Sequence, residues 1–250
     1  MTNSTAIIGG TGLEKAGFFK TLSVHEITTP YGKPSSKIIE LKIDAARGFF
    51  LSRHGKEHTI APHKVNYRAN IWALNSLGVK NIIAVAAVGG ISENMVPKTI
   101  MLPDQIIDYT WGREHTFFAE DKVEHIDFTR PYCQCLRQKL LDICGKLQIP
   151  VNPQGVYCAT QGPRLESKAE IKRLAKDSCD IVGMTAMPEA SLARELNMCY
   201  ATIAVSANWA AGITPDVITM DKIAENLRSG MVGVVKIIEK YFLKERYHVI

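Results

Sequence analysis

The chain has no apolar run approaching the roughly 20 residues that cross a bilayer as a helix. Stretches such as Ile82 to Val88 are far shorter, which excludes a protein built on membrane-spanning helices. Its six cysteines (133, 135, 144, 158, 179 and 199) include no CxxC pair. They sit mostly within apolar patterns and predict reduced core thiols in a cytosolic protein. The first residues, Met1-Thr-Asn-Ser-Thr5, lack a basic region followed by an apolar stretch, so a secretory signal is not expected. Lysine and arginine form no dense cluster, and 30 of them against 25 Asp+Glu leave a formal charge of only +5. That balance speaks weakly for nucleic acid and fits a small anionic substrate at least as well. No repeat and no low-complexity linker occurs, so one domain over residues 1–250 is expected, with neither nucleic-acid nor membrane partners. What is present is ordinary globular material: 46% hydrophobic and 22% charged residues, enough for a substantial core and too apolar for dominant disorder.

Strand-like runs alternate with helix-length amphipathic segments, which predicts a layered α/β fold with functional loops at the strands' C-terminal ends. Ala6–Ile8 reads as a short strand ending in Gly9-Gly10-Thr11-Gly12, and Phe49–Ser52 and Asn81–Val88 as further buried strands. Asn66–Leu77 has helical spacing and stops at Gly78; Pro131 opens a helix to about Gly145 with the proline at its first position. Ser167-Lys-Ala-Glu170 is a capping box that starts a helix to about Lys176. Ile181–Val182, an alanine-rich helix from Pro188, the strand Tyr200–Val205 and a long helix from about Thr219 to Phe242 follow. The connection from Asp108 to Arg130 is long and carries Tyr109, Trp111, His115, Phe117, Phe118, His125 and Phe128, which suits a lid or an interface.

Several strand ends carry groups suited to a small anionic ligand. In Ala6-Ile-Ile-Gly-Gly-Thr-Gly-Leu13, glycine N–H groups and the Thr11 hydroxyl could form a phosphate-sized nest, or simply a tight turn. The segment lacks GxGxxG and the Walker lysine, so it supports neither a dinucleotide nor an ATP site. His54-Gly-Lys-Glu57-His58 matches the inverted zinc motif HxxEH. That motif needs both histidines on one helical face, yet Gly55 interrupts it and Thr59-Ile60-Ala61-Pro62 offers no continuation, so no metal is expected. A zinc hydrolase on His54, Glu57 and His58 remains the competing reading. As a strand end, Arg53 and His54 supply a bidentate fork and an N–H donor for an oxyanion, or a solvated surface pair. Small residues in Ala84-Val-Ala-Ala-Val-Gly-Gly-Ile91 let a ligand approach the backbone, offering the Ala87 N–H, or serve crowded packing. Gln161-Gly-Pro-Arg-Leu-Glu166 could aim Glu166 into a cleft, although a carboxylate at a helix start is common. Met184 and Thr185 lie on a strand-to-helix turn, where an anion would meet helix N–H groups. Asn208 ends a buried strand, and its amide donates and accepts at once, as recognition of a heteroaromatic base requires.

Together these segments resemble the trimeric purine nucleoside phosphorylase and methylthioadenosine phosphorylase family over nearly the whole chain. The resemblance is strongest in IIGGTGL (7–13), SRHGKEHTIAPHKVNYRANIWAL (52–74), GPRLES (162–167), MTAMPEA (184–190) and the strand into Asn208. It implies a single-domain αβα fold on a central mixed sheet. The implied reaction uses no cofactor: inorganic phosphate, as co-substrate, attacks C1′ of a purine nucleoside and releases the base. By resemblance the phosphate site is Thr11, Arg53, His54, Ala86, the Ala87 backbone and Thr185. Met184 would lie against the ribose, Asn208 would hold the purine at N7 and its 6-substituent, and Glu166 would accept from N1–H. Leu165, Trp209 and Ala210 would stand beside the base. The resemblance also implies a homotrimer, or a hexamer as a dimer of trimers. A neighbouring subunit would complete each site, His125 being the candidate residue.

The methylthioadenosine branch carries two aspartates near the end of the Asn208 strand, where this chain has Asn208 and Ala210, and a small residue in place of Glu166. A carboxylate suits hypoxanthine, whose N1 bears a proton, and repels adenine, whose N1 accepts. The usual 5′-hydroxyl histidine before the last helix is missing, and Ile213, Val217 and Met220 stand there instead, favouring a methylthio sugar. The expected reaction is therefore phosphorolysis of S-methyl-5′-thioinosine to hypoxanthine and 5-methylthioribose 1-phosphate, in nucleoside salvage. General inosine/guanosine phosphorolysis, then methylthioadenosine phosphorolysis, are the alternatives, with a non-catalytic nucleoside-binding protein outside the family. Two departures stand out: Ala86 replaces a threonine of the methylthioadenosine branch, and Lys98-Thr99 replaces the more usual Gly-Asp.

Overall fold

The computed structural model describes residues 4–10, 12–13, 16–118 and 122–245; Thr11 lies outside them. The strands are β1 (Ser4–Gly9), β2 (Lys20–His25), β3 (Ile38–Ile43), β4 (Ala46–Ser52), β5 (Val79–Gly90) and β6 (Ile100–Met101). β7 (Gln105–Asp108), β8 (Val151–Asn152), β9 (Val156–Ala159), β10 (Ile181–Gly183) and β11 (Cys199–Trp209) complete them. The helices are α1 (Tyr67–Ser76), α2 (Gln134–Leu147), α3 (Lys168–Lys176), α4 (Ala186–Glu195) and α5 (Met220–Glu245). All strands belong to one mixed sheet ordered β2-β3-β4-β1-β5-β10-β9-β7, from which β11, β6 and β8 branch at β5.

Strand alternation divides the core between the two faces of this sheet. Ala6, Ile8, Ile82, Ala84 and Ala86 point to one side, where they pack with residues of α1 and α4. Ile7, Ile83 and Val85 point to the other, against α2 and α5. Helix, sheet and helix are thus stacked as the expected αβα sandwich. Among the described residues no helix is long and apolar enough to cross a membrane.

The pairing of β5 creates an opening. β11 runs along one edge of β5 from Asn81 to Gly90. On the other edge β1 pairs only as far as Ala84, and β10 pairs only at Gly89 and Gly90. Between them Val85–Val88 have one edge free of any strand, and the cleft described below forms over that gap.

Several sequence expectations change. The helix after Pro131 begins at Gln134, because the Cys133 N–H donates to the Tyr200 carbonyl of β11 (2.9 Å) and holds the preceding residues extended. It runs through Gly145 and ends at Gln148 in the left-handed region. That same contact sets the Cα atoms of Cys133 and Cys199 5.1 Å apart, within disulfide reach, and the two are bonded. Cys135 is exposed, so the buried-thiol reading holds for Cys144, Cys158 and Cys179 alone. β11 extends past Val205 to Trp209 and so contains Asn208. Lys98 takes φ +80°, a conformation that favours glycine, which accounts for glycine being usual there; its N–H donates to Ser206 O (2.7 Å). The capping box at Ser167 and Glu170 is present on both sides.

The connection after β7 is not free to act as a lid over its first half. The Tyr109 hydroxyl donates to Asp177 (2.5 Å), the Phe117 N–H donates to Glu195 (2.8 Å), and Arg113 is 8% exposed. Phe117 and Phe128 pack on the core.

Candidate active site

A cleft of about 600 Å³ lies over the gap beside β5. Ten positions named from the sequence, drawn from five separate segments, line it: Arg53, His54, Ala86, Ala87, Leu165, Glu166, Met184, Thr185, Asn208 and Ala210, with Met220 from the start of α5. Four others are not brought there. Trp209 is half-buried outside the lining, Val217 is 78% exposed, and Ile213 and His125 are also exposed elsewhere. Strand alternation sends Trp209 to the face opposite Asn208 and Ala210. Val217 falls in the loop before α5, where its neighbour Ile218 and, from the helix, Ile223 and Leu227 line the cleft instead.

Arg53 follows β4, and burial to 2% exposure works against its charge. The Glu189 carboxylate prevails and holds its pKa above the ordinary value, accepting from Nε (2.7 Å) and Nη2 (2.8 Å). Nη1 donates to the Val85 carbonyl at 2.9 Å. Glu189 has no exposed surface and also accepts from the Tyr200 hydroxyl at 2.8 Å. The guanidinium is therefore clamped against the gap in β5, not solvated. Because the Val85 carbonyl faces Arg53, alternation places the Ala87 N–H on the same free edge, while the Ala86 amide faces β11.

His54 donates from Nδ1 to the Ile60 carbonyl at 2.9 Å, since a carbonyl can only accept. Desolvation, then the charge of Arg53, push its pKa down to about 4 from 6.5, so the ring is neutral at pH 7. Nε2 is then an acceptor, which overturns the expectation of an N–H donor for an oxyanion. A depressed folded-state value means that the unfolded chain binds more protons at mildly acidic pH. The contribution of His54 to stability is present above pH 6.5 and lost as pH falls toward 4. Urea unfolding of wild type and His54→Gln across that range should show a smaller acid loss in the variant; parallel curves would remove His54 as the cause.

His54 through His58 form successive turns with Gly55 at φ +78° and His58 at φ +54°, so the HxxEH residues share no helix face. Among the described residues no group of three or more His, Cys, Asp or Glu could hold a metal ion.

Thr185 caps α4 without a side-chain bond to that helix, and its N–H reaches the buried Tyr157 hydroxyl at 3.5 Å. Glu166 accepts from the Thr160 hydroxyl at 2.7 Å through Oε1 and lines the cleft. The Asn208 amide donates from Nδ2 to the Trp209 carbonyl at 2.7 Å, which assigns its nitrogen and leaves the second N–H and Oδ1 for a ligand. A register shift between Ser206 and Asn208 sets that side chain opposite Gly89.

Two residues that matter here were given no role from sequence. Glu189 had a legible signal: its helical neighbours Ala186, Leu192 and Ala193 are apolar, so an acid on that face must be buried and paired. Arg113 had none, being one cation in an aromatic connection.

The model of the Phosphorylase superfamily matches residues 4–242. A probable S-methyl-5′-thioinosine phosphorylase of Pseudomonas syringae is 50% identical over 233 residues, covering 92% of this chain and 94% of that protein. A 6-oxopurine nucleoside phosphorylase of Pyrococcus furiosus is 43% identical, covering 93% of this chain and 89% of that protein. Among solved structures, methylthioadenosine phosphorylase from Schistosoma mansoni in complex with adenine superposes with a TM-score of 0.92 at 33% identity, covering 96% of this chain and 91% of that one. With its sheet, its cleft and its sequence all in agreement, the chain belongs to the phosphorylase superfamily, as a pentosyltransferase of the purine nucleoside phosphorylase type.

Proposed function

We propose that the chain cleaves S-methyl-5′-thioinosine with inorganic phosphate, giving hypoxanthine and 5-methylthioribose 1-phosphate. The observation that carries this reading is the apolar wall that Ile218, Met220, Ile223 and Leu227 contribute to the cleft. Burying a methylthio group against such a wall contributes roughly 1–2 kcal/mol, about tenfold in affinity. In the same cleft Glu166 presents a carboxylate and Asn208 a free N–H, the pair that suits N1–H and the N7/O6 acceptors of a 6-oxopurine. Relatives named probable S-methyl-5′-thioinosine phosphorylase at 45–50% identity support the same choice.

In this reading phosphate sits over the β5 gap, held by the remaining Arg53 N–H groups, the Ala87 N–H and the Thr185 hydroxyl; Thr11, which the resemblance also implies, lies outside the described residues. Neutral His54 accepts the phosphate's own O–H at Nε2, which orients the attacking oxygen toward C1′. The C1′–N9 bond breaks through an oxocarbenium-like sugar, and its electron pair passes to the purine. Donation from Asn208 to N7 stabilises that charge more than it does the bound substrate. The C1′–O bond to phosphate then forms. No cofactor or metal takes part. The protein acts in the cytoplasm as a homotrimer or a dimer of trimers. His125, exposed on the connection after β7, would reach a cleft only in a neighbouring copy.

A general 6-oxopurine phosphorylase is the second reading, because His58 lines the same cleft with its ring 4.7 Å from that of His54 and could hold a 5′-hydroxyl. Base release from methylthioinosine, inosine and methylthioadenosine, each with and without phosphate, separates these readings. Phosphate-dependent cleavage with methylthioinosine fastest is expected. Inosine in first place would favour His58 and discard the apolar wall as a determinant.

A further inference from the structure

Arg113 is a buried cation without a carboxylate partner among the described residues. All of its donors go to neutral oxygens. Nη2 donates to the carbonyls of Thr160 (3.2 Å) and Gln161 (2.9 Å), and Nε to the Gln161 side chain (3.2 Å). Nη1 donates to the carbonyls of Met184 (2.9 Å) and Met187 (2.6 Å), and lies 3.3 Å from the Tyr67 hydroxyl.

These carbonyls belong to two segments that each contribute a wall of the cleft, one through Leu165 and Glu166 and the other through Met184 and Thr185. Thr160 leads into the loop that carries Glu166, and its hydroxyl donates to that carboxylate. Met184 and Thr185 form the turn into α4. In a regular helix the Met184 carbonyl would accept from the N–H four residues on, but residue 188 is proline and has none. Met187 and Pro188 are non-helical within α4, which leaves the Met187 carbonyl outside the ladder as well. Buried carbonyls need a donor, and a planar fork with five N–H groups can serve these four carbonyls and the Gln161 side chain at once, where the three N–H groups of a lysine could not.

We propose that Arg113 is a positioning residue for the reaction, tying the loop of Glu166 to the turn of Met184 and Thr185 so that base and phosphate are held at a set separation. This rests on the assignment of those two walls to base and phosphate made above. It gives the aromatic connection after β7 a role as a fixed strut.

The test uses the full chain with Arg113→Ala and Arg113→Lys. The alanine variant should lose about 100-fold in kcat, as small misplacements of reacting groups do. Guanidinium at a non-denaturing concentration should restore much of that loss, and methylammonium at equal ionic strength should not. R113K, which keeps the charge but not the fork, should stay slow and resist rescue; it also carries the test if R113A does not fold. Hydrogen exchange of the unliganded variants should show segments 160–166 and 184–190 losing protection together while β1 and α2 do not change. Wild-type kcat in a soluble variant, equal rescue by methylammonium, or loosening of one segment alone would overturn the proposal. The exchange measurement needs no turnover. A wild-type chain that cleaves no nucleoside would therefore overturn the proposed reaction, and exchange would still decide the strut.

Discussion

Replacing Arg53 by alanine is expected to destabilise the chain by about 3–5 kcal/mol, the range for breaking a buried ion pair. The cause is the carboxylate left behind, because Glu189 has no exposed surface and would keep only the Tyr200 hydroxyl as a partner. In the same variant the KM for phosphate should rise far more than the KM for nucleoside. The two effects can be separated. The double variant Arg53→Met, Glu189→Gln removes both charges while preserving an acceptor for Tyr200, so it should regain most of the stability in urea melts. It should remain unable to saturate with phosphate. Recovery of phosphate affinity in the double variant would show that Arg53 supports the fold without touching the anion. A nucleoside KM more affected than the phosphate KM in R53A would likewise remove it from the phosphate site.

Asn208→Asp should lower kcat/KM for 6-oxopurine nucleosides by about 100-fold, equivalent to roughly 3 kcal/mol of unpaired polar contacts. Two changes act together. The Nδ2 bond to the Trp209 carbonyl at 2.7 Å is lost, leaving two acceptors face to face, and the donor offered to N7 and O6 disappears. A carboxylate there accepts from an exocyclic amine, so preference should move toward 6-aminopurines. The switch should be incomplete while Glu166 faces the adenine N1 acceptor, and pairing N208D with Glu166→Ser should extend it. The ratio of kcat/KM values for methylthioinosine and methylthioadenosine is the measurement. An unchanged ratio would take Asn208 out of the base site.

The layered α/β class, the strand alternation, the Ser167 capping box and the stop at Gly78 were legible because each depends on residues a few positions apart. The apolar runs Ala6–Ile8 and Asn81–Val88 mark strands buried nearly throughout, without saying what covers each face. The cleft-lining residues Arg53, Glu166, Thr185 and Asn208 could be proposed for the same reason: a glycine or polar residue ending an apolar run is a local signal.

What joins those strand ends is long-range, and only the tertiary structure decided it. Arg53 finds Glu189 across 136 residues of chain, and Arg113 finds Thr160 and Met187 across 47 and 74. The cleft itself exists because β1 stops at Gly9 and β10 begins only opposite Gly90, leaving a free edge on β5 that no single segment encodes. His54 reads as a donor until the Ile60 carbonyl is seen to take its Nδ1 proton. Val217 reads as pocket until Ile218 and, from α5, Ile223 and Leu227 are seen to line the cleft in its place. Composition and periodicity set which residues are buried. Which buried charge meets which carbonyl or carboxylate depends on how separate elements dock, and that follows from packing the whole sheet.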